Sequence, residues 1–339
     1  MTSSTSTLLD GASLDADLLA HAAAPRGKVS IAPAGLERMA AARDVIAQAI
    51  ARGTPIYGVT TGLGSRATQA LSVSELSDFS LQTLRGRAHA CGPALPADIV
   101  RAAMIVRLNT LLSGAAGASP DIAIGLAAAV NAGATPVVGE IGSVGASDLL
   151  LGATMGLALC GEGRMMDETG RVMPAADCLA GAKLSPLALG PRDGLALCSH
   201  DAFSAAAAAF DLVRSRRALR GVEMATALSF EAFRANLSTL REDVLALRPQ
   251  PGEDAAGASL RLWLGASSLL EPGAARRLQD PLSFRNAVQV HGSAHYAHEF
   301  LARVVSVQIN GAPDNPAVLA ATNEVVSSGN FLTPHLTIA

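Results

Sequence analysis

From Ala202 to Phe230 the chain runs without a proline and with one glycine, Gly221, and it contains an unbroken alanine run, Ala205 to Ala209. Alanine loses no side-chain entropy in a helix and lets neighbouring backbones come close. The stretch predicts one long, closely packed helix of roughly 40 Å at 1.5 Å per residue, with the fold organised around it. A second such stretch, about Asn286 to Val307, predicts a partner of similar kind. Aromatic residues are only 3% of the 339, so the core between these helices must be built from Ala, Leu, Val and Ile.

The rest of the chain is punctuated as helices too. Leu36, Met39, Val45, Ile46 and Ile50 share one helical face, with Gly53 as a stop. Ser72 and Glu75 have capping-box spacing before a helix predicted to run towards Gly92. Pro96 opens a helix that Gly114 closes, and Ser119-Pro120-Asp121 opens one that Gly133 closes. Asp148 is placed to cap a helix running to Gly161. Strand signals are short: Lys28 to Ile31, and Pro136 to Val138. The chain therefore reads as mainly α, with a small mixed region near the N-terminus. A Ser/Thr-rich, disordered segment is expected over residues 1–11, an N-terminal domain over 12–190 and a long-helix region over 191–339.

Composition excludes several classes. Net charge −3 and pI ≈ 6.2 leave no basic footprint for nucleic acid. Lys28 and Lys183 are the only lysines, so no polybasic membrane patch is written. The uncharged stretch Ile122 to Gly139 is interrupted by Asn131 and Pro136 and is too broken for a membrane span. Met1 to Gly11 lacks the basic and apolar regions of a secretory signal. Cys91, Cys160, Cys178 and Cys198 have no CxxC spacing and read as reduced thiols in the cytoplasm.

Two loops can carry chemistry. In Ile56-Tyr57-Gly58-Val59-Thr60-Thr61-Gly62-Leu63-Gly64, three glycines in seven residues require unusual backbone angles or a close approach. No Gly-Lys-Ser/Thr follows, so it is not a phosphate loop. Tyr57, one of two tyrosines in the chain, reads either as an acid–base group or as a packing residue beside a turn. Gly142-Ser143-Val144-Gly145-Ala146-Ser147-Asp148 folds small residues tightly ahead of a helix N-terminus, a donor-rich place for negative charge. The bland alternative is a compact turn capped by Asp148. His291, His295 and His298 fall at i, i+4 and i+7 on a helix. That spacing is wider than a zincin motif and lacks its Glu, so a subunit-contact or solvated face is expected and no metal. His21, His200 and His335 belong to no constellation.

The two loops together resemble the aromatic amino acid ammonia-lyase family, histidine ammonia-lyases above all. Tyr57 to Gly64 is similar to that family's Tyr-Gly-x-x-Thr-Gly-x-Gly loop, Arg87 to Gly92 to its Ser-His-Ala-Cys-Gly segment, and Gly142 to Asp148 to its Gly-Ser-Val-Gly-Ala-Ser-Gly-Asp motif. Further similar blocks follow in family order: Gly161-Glu162-Gly163, Asp193 to Leu197, Leu247 to Gly252, Gln279-Asp280-Pro281 with Arg285, Asp314-Asn315-Pro316, and Gly329-Asn330-Phe331. The resemblance implies a mainly α fold with a long-helix bundle, a homotetramer with shared active sites, and elimination of ammonia from an aromatic or histidine-like amino acid. No external cofactor is implied. The family cyclises an Ala-Ser-Gly triplet of its own chain into a methylidene-imidazolone electrophile. By resemblance Ala146, Ser147 and Asp148 hold the electrophile position, Tyr57 is the base, and His89 faces the substrate. Arg285 pairs with its carboxylate, Phe331 lines the pocket, and Gln279 and Asn310 support it.

The sequence also departs from the family. The triplet is Ala146-Ser147-Asp148, with the Gly gone, and a Cβ on the attacking residue opposes the close nitrogen–carbonyl approach. The electrophile is therefore not expected. Ser199 stands where the family has an Asn, Leu282 where it has a Tyr, and Gln308 where it has a Glu. The family's C-terminal helical portion is expected to be missing, or to lie on a partner chain. Ammonia elimination is the leading reading. The alternatives are an electrophile-independent enzyme of the same fold, with Tyr57 as base for addition, elimination or cyclisation, and a non-catalytic subunit.

Overall fold

The computed structural model describes residues 6–329 and 331–339. In chain order its helices are α1 Ala16–Ala23, α2 Pro33–Ala51, α3 Val73–Arg85, α4 Ala97–Leu111, α5 Pro120–Ala132, α6 Leu149–Leu159, α7 Ala175–Gly181 and α8 Asp193–Cys198. They continue as α9 Ala202–Phe233, α10 Glu242–Leu245, α11 Glu253–Trp263, α12 Leu282–Arg285, α13 Ala287–Gln308 and α14 Pro334–Ile338. The strands are β1 Thr7–Leu9, β2 Val29–Ile31, β3 Cys91–Ala94, β4 Thr135–Pro136, β5 Gly139–Ile141, β6 Arg164–Met166, β7 Val172–Pro174, β8 Ala317–Leu319 and β9 Glu324–Val326. The chain is mainly helical, as the sequence predicts. No helix among the described residues is long and apolar enough to cross a membrane.

The two long helices form where proline-free sequence predicts them. Two local expectations change. The helix expected to run from Ser72 towards Gly92 stops at Arg85, because Gly86 takes the C-cap and the chain turns into β3. The segment expected to be disordered supplies β1, whose Thr7–Leu9 pairs in parallel with Val29–Ile31; residues 1–5 lie outside the described residues. Pairing gives this short apolar segment backbone partners, and it buries Leu9.

The chain divides into two compact units, one of Met1–Ala209 with Val305–Ile338, the other of Phe210–Val304. The expected boundary near residue 190 thus falls inside the first unit. Its centre is α4, in which every residue from Ile99 to Leu111 is buried. A helix surrounded on all sides cannot be amphipathic, so its polar residues must be paired within the protein. Arg107 is: its guanidinium grips the Asp314 carboxylate at 2.8 and 3.2 Å, and Arg192 lies 3.7 Å from the same carboxylate. This buried triad fixes the 314–316 segment beside α4. In the second unit Phe230, Leu240, Leu260, Leu264 and Val288 form the apolar core, with Phe233 stacked on Phe284 at 4.2 Å.

Candidate active site

The glycine-rich loop lies between α2 and α3. Gly58 has φ +68°, and a Cβ there would meet the Leu195 side chain at 2.6 Å, so only glycine lets the loop press onto α8. Tyr57 is 38% exposed, and its phenolic oxygen accepts the Gly64 amide at 3.1 Å. It borders a cavity of about 280 Å³ with Ile56, Asn315, Pro316 and Ser327.

The 142–148 loop is held from several sides. Val144 N–H donates to Ser147 O at 3.0 Å, Leu332 N–H to Ala146 O at 3.2 Å, and Thr333 Oγ1 to Gly145 O at 2.8 Å. The Phe331 ring lies against Gly145. Asp148 is the anchor. Its N–H donates to His200 O at 2.7 Å, and its carbonyl accepts from Gly152 at 2.8 Å. Its carboxylate accepts from Ser204 N and Ser204 Oγ, each at 2.7 Å. Asp148 is therefore not the side-chain cap of its own helix: the carboxylate caps the N-terminus of α9 instead. Burial pushes its pKa up, and the Ser204 bonds oppose that.

His200 and Asp201, which the sequence reading did not single out, complete this junction. His200 is fully buried; Nδ1 accepts from Ala202 N–H at 3.2 Å, which leaves Nε2–H to donate to Leu197 O at 3.0 Å. Burial pushes its pKa well below the ordinary value, so the ring is neutral. It fits because residue 152 is glycine: a Cβ there would lie 2.8 Å from Nε2. Asp201 is 1% exposed, and its Oδ2 has no hydrogen-bond partner. Asp148 has taken the helix end that Asp201, at the cap position, would otherwise hold. Burial first, and the neighbouring Asp148 charge second, push the Asp201 carboxyl up to about 7.

The remaining predicted residues divide between the two units. In the first, Ser199 is buried at the end of α8, next to His200. His89 is exposed just before β3, whose Cys91 pairs with Ile141 at the start of the 142–148 loop. Gln308 Nε2 donates to Leu332 O at 3.0 Å. Asn310 is spent on the chain itself, bonded to Leu14 N and O, Asn109 and Ser306. Asn330 lies outside the described residues. In the second unit Gln279 and Leu282 are exposed. Arg285 borders a cavity of about 540 Å³ with Arg248, Glu253 and Gln289. The three helical histidines have separate partners: His291 contacts Thr226 at 3.4 Å, His295 binds Glu223 at 2.5 Å, and His298 donates to Leu212 O at 3.1 Å. No group of His, Cys, Asp and Glu among the described residues could hold a metal ion.

A mainly helical fold, a tyrosine on a glycine-rich loop and a tightly folded Ala-Ser loop at a helix start define a class. The family model for aromatic amino acid lyases matches residues 14–339. The chain is 34% identical over 326 residues to histidine ammonia-lyase of Gloeobacter violaceus, covering 96% of this chain and 63% of that protein. It superposes with TM-score 0.91 and 29% identity on the ergothioneine-degrading enzyme ergothionase of Treponema denticola, solved with desmethyl-ergothioneine sulfonic acid, over 98% of this chain and 67% of that one. Histidine ammonia-lyase of Trypanosoma cruzi gives TM-score 0.87 and 28% identity over 98% and 62%. The chain belongs to the aromatic amino acid lyase family, and it spans about 63% of the length of the first of these relatives.

Members of this family use an electrophile made from their own chain. The residues here do not fit it. Ring closure needs the residue-148 nitrogen to reach the Ala146 carbonyl carbon. That nitrogen is committed to His200 O, and the Asp148 side chain is pinned to α9 through Ser204. Closure would give up the N–H bond to His200 O and pull against the two Ser204 bonds that hold the carboxylate.

Proposed function

We propose that the chain carries a carbon–nitrogen lyase site that works without the chain-derived electrophile, on a histidine-like amino acid whose amine is quaternary. Tyr57 takes the β-proton. The C–H electron pair becomes the Cα–Cβ double bond, the Cα–N bond breaks, and a tertiary amine leaves with its electron pair. His89 and Phe331, in the same unit as Tyr57, line the pocket. Self-association into a homo-oligomer is part of this reading, since Tyr296 and Phe300 stand exposed one helical turn apart on α13.

The observation that carries the reading is the Asp148 N–H bond to His200. With no electrophile to hold the amine, a base strong enough for a β C–H first removes a proton from a primary ammonium. The nitrogen is then left as an amine, which does not depart. A quaternary nitrogen has no such proton and leaves as a neutral amine. The likeness to an enzyme that degrades ergothioneine, a trimethylammonium derivative of histidine, supports the same substrate class. The test incubates the protein with ergothioneine, the trimethyl betaine of histidine, and L-histidine, and measures the amine released. Trimethylamine from a betaine, with no ammonia from L-histidine and no release by Tyr57→Phe, is expected. Ammonia from L-histidine overturns the proposal.

A further inference from the structure

A second cleft, in the first unit, contains none of the candidate active-site residues. It is about 870 Å³ and lies among the loop joining α1 to β2, the start of α4, the end of α5 and the β6–β7 turn. Its floor is Arg101, 7% exposed. The guanidinium donates from Nε to Ala23 O at 3.1 Å, from Nη1 to Val130 O at 3.0 Å and from Nη2 to Gly27 O at 3.3 Å. All three partners are neutral carbonyls, and no carboxylate among the described residues pairs with it. Two of these carbonyls belong to the ends of α1 and α5, which accounts for the arginine's place. It leaves one further N–H on each Nη, donors of the kind that bind a carboxylate.

The walls carry opposite charge. On the α1–β2 loop stand Lys28, whose ammonium donates one of its three N–H groups to Asn131 O, and Arg26, held at φ +68°, a conformation rare outside glycine. The same lining holds Asp98, at the start of α4, and Asp167 and Glu168, on the β6–β7 turn, where Asp167 is bonded to Thr169 and Arg171 N–H. A purely anionic ligand would meet three carboxylates, and a purely cationic one three bases.

We propose that this cleft binds a small zwitterion of the α-amino acid type, its carboxylate on the two remaining Arg101 N–H groups beside Lys28, its ammonium towards Asp98 and Glu168. The site is independent of the lyase reading, because none of these residues borders Tyr57 or Arg285.

Isothermal titration of the full chain with glycine and with L-histidine, with acetate and methylammonium as half-ligands, tests it. The expected result is saturable binding of a zwitterion at one site per chain, kept by Tyr57→Phe and Arg285→Ala. Lys28→Gln and Glu168→Gln should each weaken it by about tenfold, as loss of one charge-assisted contact does. The half-ligands should bind at least tenfold more weakly than the zwitterion. Two outcomes overturn the proposal: no saturable binding of either amino acid, or binding that disappears with Arg285→Ala and is untouched by Lys28→Gln and Glu168→Gln. These rim variants decide the matter even where Arg101→Gln fails to fold.

Discussion

Replacing Asp201 by Asn should stabilise the protein progressively as the pH rises. The wild-type carboxyl is pushed up to about 7 in the folded chain, from an ordinary value of 3.8. Between those values the folded state holds a proton that the unfolded state has released, so wild-type stability falls as pH rises through this window. At ~1.4 kcal/mol per pH unit, a shift of about three units is worth on the order of 4 kcal/mol, a large share of a domain's 5–15 kcal/mol. Asn cannot ionise. Its advantage over Asp should therefore be smallest near pH 4, grow to about pH 7 and stay level above it. Any fixed cost of burying the amide shifts the whole curve without changing its shape. Urea unfolding at pH 4.5, 6, 7.5 and 9 measures the difference. A difference independent of pH would refute the reasoning, because Asp201 would then titrate alike in both states.

Other substitutions test the same junction and its surroundings. Asp148→Ala strands the Ser204 amide and hydroxyl at the start of α9 and should cost about 2–4 kcal/mol in chemical unfolding, with Asp148→Asn milder. Gly152→Ala drives a methyl against the buried His200 ring and should lower stability by ~1–3 kcal/mol. Asp314→Ala leaves Arg107 and Arg192 buried without a counter-charge, so a loss of about 3–5 kcal/mol is expected. Tyr57→Phe, at an exposed loop position, should abolish amine release and leave the unfolding midpoint unchanged.

The long helices were legible because they depend on local facts: proline absent, alanine abundant, turns punctuated by glycine. The two glycine-rich loops were legible for a similar reason, since their glycines mark backbone positions other residues cannot easily occupy. What local spacing could not show was the destination of a side chain. Asp148 reads as the cap of the helix that follows it, but its carboxylate crosses to Ser204, 56 residues on. His200 and Asp201 looked unremarkable because their surroundings, Gly152 beneath the ring and the second carboxylate beside Asp201, come from elsewhere in the chain. The signal that could have found them is a His-Asp pair directly before the alanine-rich start of the longest helix, where a charge must be either paired or neutral. Asn310, expected as a supporting hydrogen-bond group, has its amide engaged by Leu14, Asn109 and Ser306, partners that its local sequence does not reveal.

The central claim is that Asp148 anchors two helices and does not close a ring with Ala146. The intact mass of the purified protein tests it most directly, because the electrophile forms by losing two waters. The mass of the unmodified sequence is the expected result. A mass lighter by two waters, located by peptide mapping to residues 146–148, would contradict the account.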